Sequence, residues 1–190
     1  RTGFAVSVMT KSDLVLRDLD LLETINRRSR CLLVVSLVFH DDEPRRVFEP
    51  GASMVEARLG MIRQFKARQI PVCVLAMPLL PGIADGPGSI NLLFDKLKAL
   101  DVDVIMPGGL TLRPGRQKEA YLKAMETHYP GLLSATRHIY RGEYPSGSPE
   151  HAYTQTIMPP VVQALAQRQI PRWVPHRIYK NCYPKYDELY

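Results

Sequence analysis

Four short apolar runs, each followed by residues that repeat at helical spacing, constrain this chain more than any other feature. Residues 4–9 (FAVSVM) form the first run; Ser12 or Asp13 then offers a helix start, and Val15, Leu19, Leu22 and Ile25 recur up to Asn26. Residues 32–38 (LLVVSLV) are a continuous β-branched and leucine run, as in a parallel strand covered on both faces. A polar loop is expected over residues 40–51. Ser53 with Glu56 then reads as a capping box, ahead of a stripe of Val55, Leu59, Ile62 and Phe65 that ends near Gln69. Residues 71–77 (PVCVLAM) predict a third strand and residues 78–88 a Pro/Gly-rich loop. Ile90, Leu93, Phe94, Leu97 and Leu100 form the next helical face. Residues 102–106 (VDVIM) predict a fourth strand, stopped by Pro107-Gly108-Gly109. Strands alternating with helices of this length predict right-handed βαβ units and a parallel sheet, either open and doubly wound or part of a barrel.

Composition changes near residues 110–115. All nine tyrosines and the single tryptophan, Trp173, lie at or after Tyr121, and nine of the sixteen prolines at or after Pro114. Residues 1–110 are therefore expected to form the sheet-bearing part and residues 111–190 a helical and irregular extension. Within it, residues 116–128 predict a helix ended by Tyr129-Pro130-Gly131, residues 140–149 a loop, and residues 161–169 a short helix.

Charge excludes less than it allows. The net charge of +6 divides evenly, because residues 1–100 carry 14 Lys/Arg against 11 Asp/Glu and residues 101–190 carry 11 against 8. Neither half is a polybasic arm, so a nucleic-acid partner is permitted and not demanded. Charged residues break every hydrophobic run well short of the roughly 20 residues of a membrane helix. Cys31, Cys73 and Cys182 are too far apart for a CxxC knuckle or a local disulfide framework, so a reducing, cytoplasmic compartment is expected. The sequence opens Arg1-Thr2-Gly3-Phe4 without an initiator methionine and enters a strand at once, as a piece of a longer protein would.

In barrels and open α/β sheets, ligands sit beyond the carboxyl ends of the strands, so the polar residues at strand exits are the candidates. Lys11 can offer a point charge to a carboxylate or phosphate, or can be an exposed helix-start lysine. Ser36 interrupts an apolar strand, where its hydroxyl must find either backbone or a ligand. The other exits are Glu49-Pro50-Gly51-Ala52-Ser53, Ala76-Met77-Pro78 with residues 80–85 (LPGIAD), and Pro107-Gly108-Gly109, which reads as a phosphate cradle or a tight turn.

Taken in order, residues 10–18 (TKSDLVLRD), Val35-Ser36-Leu37, Glu49-Pro50-Gly51-Ala52-Ser53 with Arg58, and residues 77–85 (MPLLPGIAD) resemble the second half of the radical S-adenosylmethionine domain in proteins related to spore photoproduct lyase. Leu112-Arg113-Pro114-Gly115 through His128-Tyr129-Pro130 is similar to the segment C-terminal to that barrel, so the resemblance covers residues 1 to about 135. It implies the last three or four units of a partial (β/α)6 TIM-like barrel with a Tyr/Pro-rich C-terminal extension. It also implies a protein that binds S-adenosylmethionine beside a [4Fe–4S] cluster, takes an electron from a donor protein and generates a 5′-deoxyadenosyl radical. DNA repair of the photoproduct-lyase kind is the implied activity. By the same resemblance Lys11 and Ser36 contact the cofactor, backbone around Ala76, Met77 and Pro78 flanks its adenine, and Glu49 and Arg58 hold the second loop in shape. The CxxxCxxC cluster loop of that group does not occur in this sequence. Its ligands are expected before Arg1, and the segment alone is expected to be inactive.

Other features carry alternatives. The five histidines show no HxxxH or HxxH spacing, so no local metal site is expected. Tyr140, Arg141, Tyr144, Tyr153, Arg172, Trp173, Arg177, Tyr179, Lys180 and Tyr183 interleave aromatic and basic residues, as a base-stacking surface does or as a packed extension would. Cys182 is a candidate hydrogen-donating thiol. The competing functional class is a cluster-free nucleotide- or nucleic-acid-binding α/β module, and a third reading is an unrelated parallel α/β protein. A sheet edge left bare by half a barrel predicts marginal stability or self-association.

Overall fold

The four apolar runs become one parallel sheet of β1 (Val6–Thr10), β2 (Cys31–Ser36), β3 (Val72–Leu79) and β4 (Val104–Gly109), in the spatial order β1-β2-β3-β4. The computed structural model describes residues 4–179. Val8 lies in register with Leu33, Val35 with Val74, and Val74 with Ile105. Spatial order follows chain order without the reversal of a doubly wound sheet, as in a segment of a barrel. Among the described residues the sheet is open.

The two faces of the sheet differ, because alternate residues of a strand point opposite ways. Leu33, Val35, Val74, Ala76 and Ile105 share one core with Leu19 and Leu22 of α1 (Leu19–Arg28), Ile62 and Phe65 of α3 (Val55–Ala67), and Leu93 and Phe94 of α4 (Pro87–Ala99). Phe65 and Phe94 are fully buried there, and each gains about 2–3 kcal/mol by transfer from water. On the other face, among the described residues, Val34, Cys73 and Val104, with Leu32, Leu75 and Met106, cluster with Val174 and Ile178, the latter in the short helix α8 (His176–Tyr179). The edge strand β1 is the least covered, and Met9 is exposed. The extension packs on the first core through Leu112, Tyr140 and, from α7 (His151–Gln167), Val161 and Leu165.

Several expectations are corrected. A helix, α2 (Asp42–Phe48), stands where the polar loop was expected. Asp41 accepts the Glu43 N–H at 2.9 Å, and Pro44 falls in the first turn, where its missing N–H costs nothing. The Ser53–Glu56 capping box is not made. The Ser53 hydroxyl instead accepts the Asp13 N–H at 3.1 Å and donates to Asp13 Oδ1 at 2.6 Å, while Asp42 Oδ1 takes the first N–H of α3, that of Val55, at 3.1 Å. Pro107-Gly108-Gly109 does not stop β4. It continues the strand, because β3 also runs on through Pro78, and the two pair as Ala76 with Pro107 and Leu79 with Gly109 across an irregularity. Gly108 fits closely there, since a Cβ would lie 3.2 Å from that of Met77, which would have to give by a few tenths of an ångström. Helix α5 (Arg116–His128) ends where expected, and Pro130 then begins a further helix, α6 (Pro130–Ile139), at the position where proline suits a helix. The last long helix is α7, begun ten residues early and continuing through Pro159 and Pro160, held by Val161, Ala164 and Leu165 in the core.

Candidate functional site

The carboxyl ends of the strands and the loops behind them form the candidate site. Lys11 follows β1, after which Asp13–Asp18 makes a 3-10 turn capped by Ser12, whose hydroxyl accepts the Leu14 N–H at 3.2 Å. The loop after α2 is drawn over this end, because the Ser53 N–H donates to the Lys11 carbonyl at 3.1 Å. Arg45 holds the same loop, donating to the Glu49 and Ala52 carbonyls while paired with Asp42. Glu49 is thereby brought to Lys11, and Lys11 Nζ stands 2.6 Å from Glu49 Oε1. The other carboxylate oxygen accepts from Arg58 Nη1 at 3.1 Å, and the same nitrogen donates to the Ser36 carbonyl at 2.7 Å.

A cavity of about 150 Å³ opens beside this network, lined by Lys11, Glu49, Phe48, Pro78, Leu80 and Tyr121 among others. That volume suits a single-ring-sized group. Its wall is aromatic: Phe48 packs on Tyr121 with ring centroids 5.5 Å apart and stacks on Tyr129 at 5.9 Å.

Of the residues expected at the site, Lys11 and Pro78 reach the cavity, and Ser36 is tied to Lys11 through Arg58 and Glu49. Ser36 is nearly buried, and its hydroxyl makes no hydrogen bond among the described residues. Ala76 is buried in the core and Met77 packs against Gly108. Met77 and Pro78, joined by a cis peptide, have no register partner on β4.

Behind the cavity lies a group that pattern reading did not find. Asp85 is buried, accepts the Gly82 N–H at 2.7 Å and takes a short hydrogen bond from the Tyr153 hydroxyl. Tyr140 donates to the Leu110 carbonyl at 2.8 Å, whereas the buried Tyr121 hydroxyl has no partner among the described residues. Burial pushes all three phenols up, and the Asp85 carboxylate pushes them further in the same direction. They therefore stay protonated donors. Only the tyrosine enrichment after residue 120 signalled the cluster, and it could not pair them with Asp85.

Among the described residues, the interleaved aromatic and basic side chains are spread over different places. Tyr140 and Tyr153 face this interior, Arg177 bonds Asp103 at 3.1 Å, and Arg172 lies 5.7 Å from the ring centre of the exposed Trp173. Lys180, Cys182 and Tyr183 lie outside the described residues. Among the described residues no group of three or more His, Cys, Asp or Glu can hold a metal ion. Cys31 and Cys73 are separately buried, their thiols pushed up to about 11 by burial. No described helix is long and apolar enough to cross a membrane.

No protein-family profile matches the chain. It is 29% identical over 140 residues to uncharacterized proteins of Mycobacterium bovis and Mycobacterium tuberculosis; the match covers 74% of this chain and 41% of theirs. The fold is similar to that of spore photoproduct lyase. One mutant of that enzyme superposes with a TM-score of 0.56 at 19% identity, covering 85% of this chain and 47% of the enzyme. A second, with bound AdoMet and a dinucleoside spore photoproduct, gives 0.57 at 18% identity, covering 89% of this chain and 51% of its own. The shared architecture is thus a partial TIM-like α/β fold, and the chain spans about half of the proteins it matches.

Proposed function

We propose that this chain is part of a radical S-adenosylmethionine protein and that the strand-end site holds S-adenosylmethionine. The observation that carries the reading is the cavity with Lys11 and Pro78 on its wall, at the end of the sheet where such folds bind ligands. The residues fit the molecule. Lys11 offers a cation for its carboxylate, Ser36 a hydroxyl with no protein partner among the described residues, and Met77-Pro78 a stretch of backbone without a register partner on β4, suited to the edge of adenine. When bound and reduced, S-adenosylmethionine supplies a 5′-deoxyadenosyl radical. The apolar wall of Phe39, Phe48, Leu80 and Leu110 keeps water from that part of the site.

The described residues do not fit a [4Fe–4S] cluster, since Cys31 and Cys73 are buried in the sheet away from one another's strand register. The cluster ligands and the electron-donor docking surface therefore belong to chain outside these residues. Residues 1–110 serve as the cofactor-binding barrel portion and residues 111–190 as a C-terminal extension. A DNA lesion is the substrate class to test first, on the likeness to a neighbour bound to a dinucleoside photoproduct. Free buried thiols suit a reducing cytoplasm.

Calorimetric titration of S-adenosylmethionine into the intact protein tests the reading. Lys11→Ala and Ser36→Val should each weaken binding about tenfold, by removing a charge-assisted or a single hydrogen bond, and leave iron–sulfur absorbance unchanged. Unchanged affinity in both variants would defeat the assigned roles. Failure of the wild type to bind would favour the cluster-free module.

A further inference from the structure

We infer that Arg58 is a positioning residue that couples Lys11 to Ser36 across the strand-end site, an inference that rests on S-adenosylmethionine binding there. Arg58 has no exposed surface and sits on α3 among Val55, Leu59, Met61 and Ile62, all of them buried. An apolar side chain would suit that place better. Its Nε and Nη2 have no partner among the described residues, a cost that folding alone does not require.

Its remaining nitrogen, Nη1, does two things at once. It fixes the Ser36 carbonyl at 2.7 Å, and with it the backbone that presents the Ser36 hydroxyl. It also holds Glu49 Oε2 at 3.1 Å, so that Glu49 Oε1 receives Lys11 Nζ at 2.6 Å. The two polar groups expected to meet the cofactor, on neighbouring strands, are thus ends of a single hydrogen-bonded chain that runs through one guanidinium and one nearly buried carboxylate. Two cations share one carboxylate, which leaves one positive charge in excess for an anionic group of the ligand. Arg58 itself lines no part of the cavity. It acts by fixing where the other two stand, which is worth affinity because the ligand need not order them on binding.

Arg58→Met is the informative variant, because Glu49 keeps Lys11 as its partner and no buried charge is left alone. Calorimetry with S-adenosylmethionine on the intact protein should show about a tenfold loss for Arg58→Met and a similar or larger loss for Lys11→Met. In the Lys11→Met background the further loss should be about threefold or less, since part of what Arg58 positions is already gone. Arg58→Lys, which can restore a donor to Glu49 and Ser36, should recover most of the affinity, and a thermal melt of each variant reports folding separately. Fully additive losses, no rescue by lysine, or wild-type affinity in Arg58→Met would each overturn the positioning role alone. Absence of binding by the wild type would overturn the cofactor reading with it.

Discussion

Three tyrosines, Tyr140 buried and Tyr121 and Tyr153 half-buried, offer the sharpest test of the interior, because removing one oxygen from each should have three different effects. Tyr153 donates to the buried Asp85 carboxylate, whose other oxygen accepts the Gly82 N–H at 2.7 Å. Tyr153→Phe removes a hydrogen bond to a charged acceptor and should cost about 1.5–3 kcal/mol. Tyr140 donates to the Leu110 carbonyl at 2.8 Å, a neutral bond, so Tyr140→Phe should cost about 0.5–1.5 kcal/mol. The Tyr121 hydroxyl is buried without a partner among the described residues, while its ring keeps the Phe48 contact at 5.5 Å whether or not the oxygen is there. Tyr121→Phe should relieve the penalty of an unpaired hydroxyl and stabilise by roughly 1 kcal/mol. The extremes then differ by about 2.5–4 kcal/mol, or roughly 5–16 °C in Tm for a chain of this size. Urea denaturation of the three variants at pH 7 with unchanged m-values measures the order directly. Equal losses for all three, or a loss for Tyr121→Phe as large as that for Tyr153→Phe, would show that the partner assignments are wrong.

Besides the two binding experiments, two further outcomes are expected. Gly147 has φ of +75°, and a Cβ there would lie 2.3 Å from the Arg113 amide nitrogen; its carbonyl also takes the Leu112 N–H at 2.7 Å. Gly147→Ala should therefore destabilise by several kcal/mol, read as a lowered urea midpoint; a loss below about 1 kcal/mol would contradict the close approach. Burial raises the Cys31 and Cys73 thiols from 9.0 to about 11, so the folded state holds protons that the unfolded chain gives up. Their contribution to stability is complete below pH 9 and falls as pH rises from about 9 to 11, at no more than about 1.4 kcal/mol per unit per thiol. A pH series of urea melts on Cys31→Ala, Cys73→Ala and the double variant isolates that slope, and an unchanged slope would refute burial as its cause.

Much of the scaffold was legible because its cause is local. A continuous β-branched run such as that of residues 32–38 can hardly be anything but a strand covered on both faces, and the stripe Ile90, Leu93, Phe94, Leu97 has a helix period. Lys11 and Ser36 were legible for the same reason, as polar residues where an apolar run gives out. What the sequence by itself determined was the order of the four strands and of the helices α1, α3, α4 and α5, the apolar face of the helices between the strands, and Lys11 and Ser36 at the ends of the first two apolar runs. Only the tertiary structure decided where long-range partners fall. Ser53 spends its hydroxyl on Asp13 instead of its own helix, Asp42 caps α3 in its place, and β3 carries β4 past Met106. It also decided that Lys11, Glu49, Arg58 and Ser36 form one chain and that Asp85 meets Tyr153. Periodicity reports which face of an element is apolar, whereas a buried polar group takes whichever partner the packed elements bring within hydrogen-bonding distance. That choice is made by the fold.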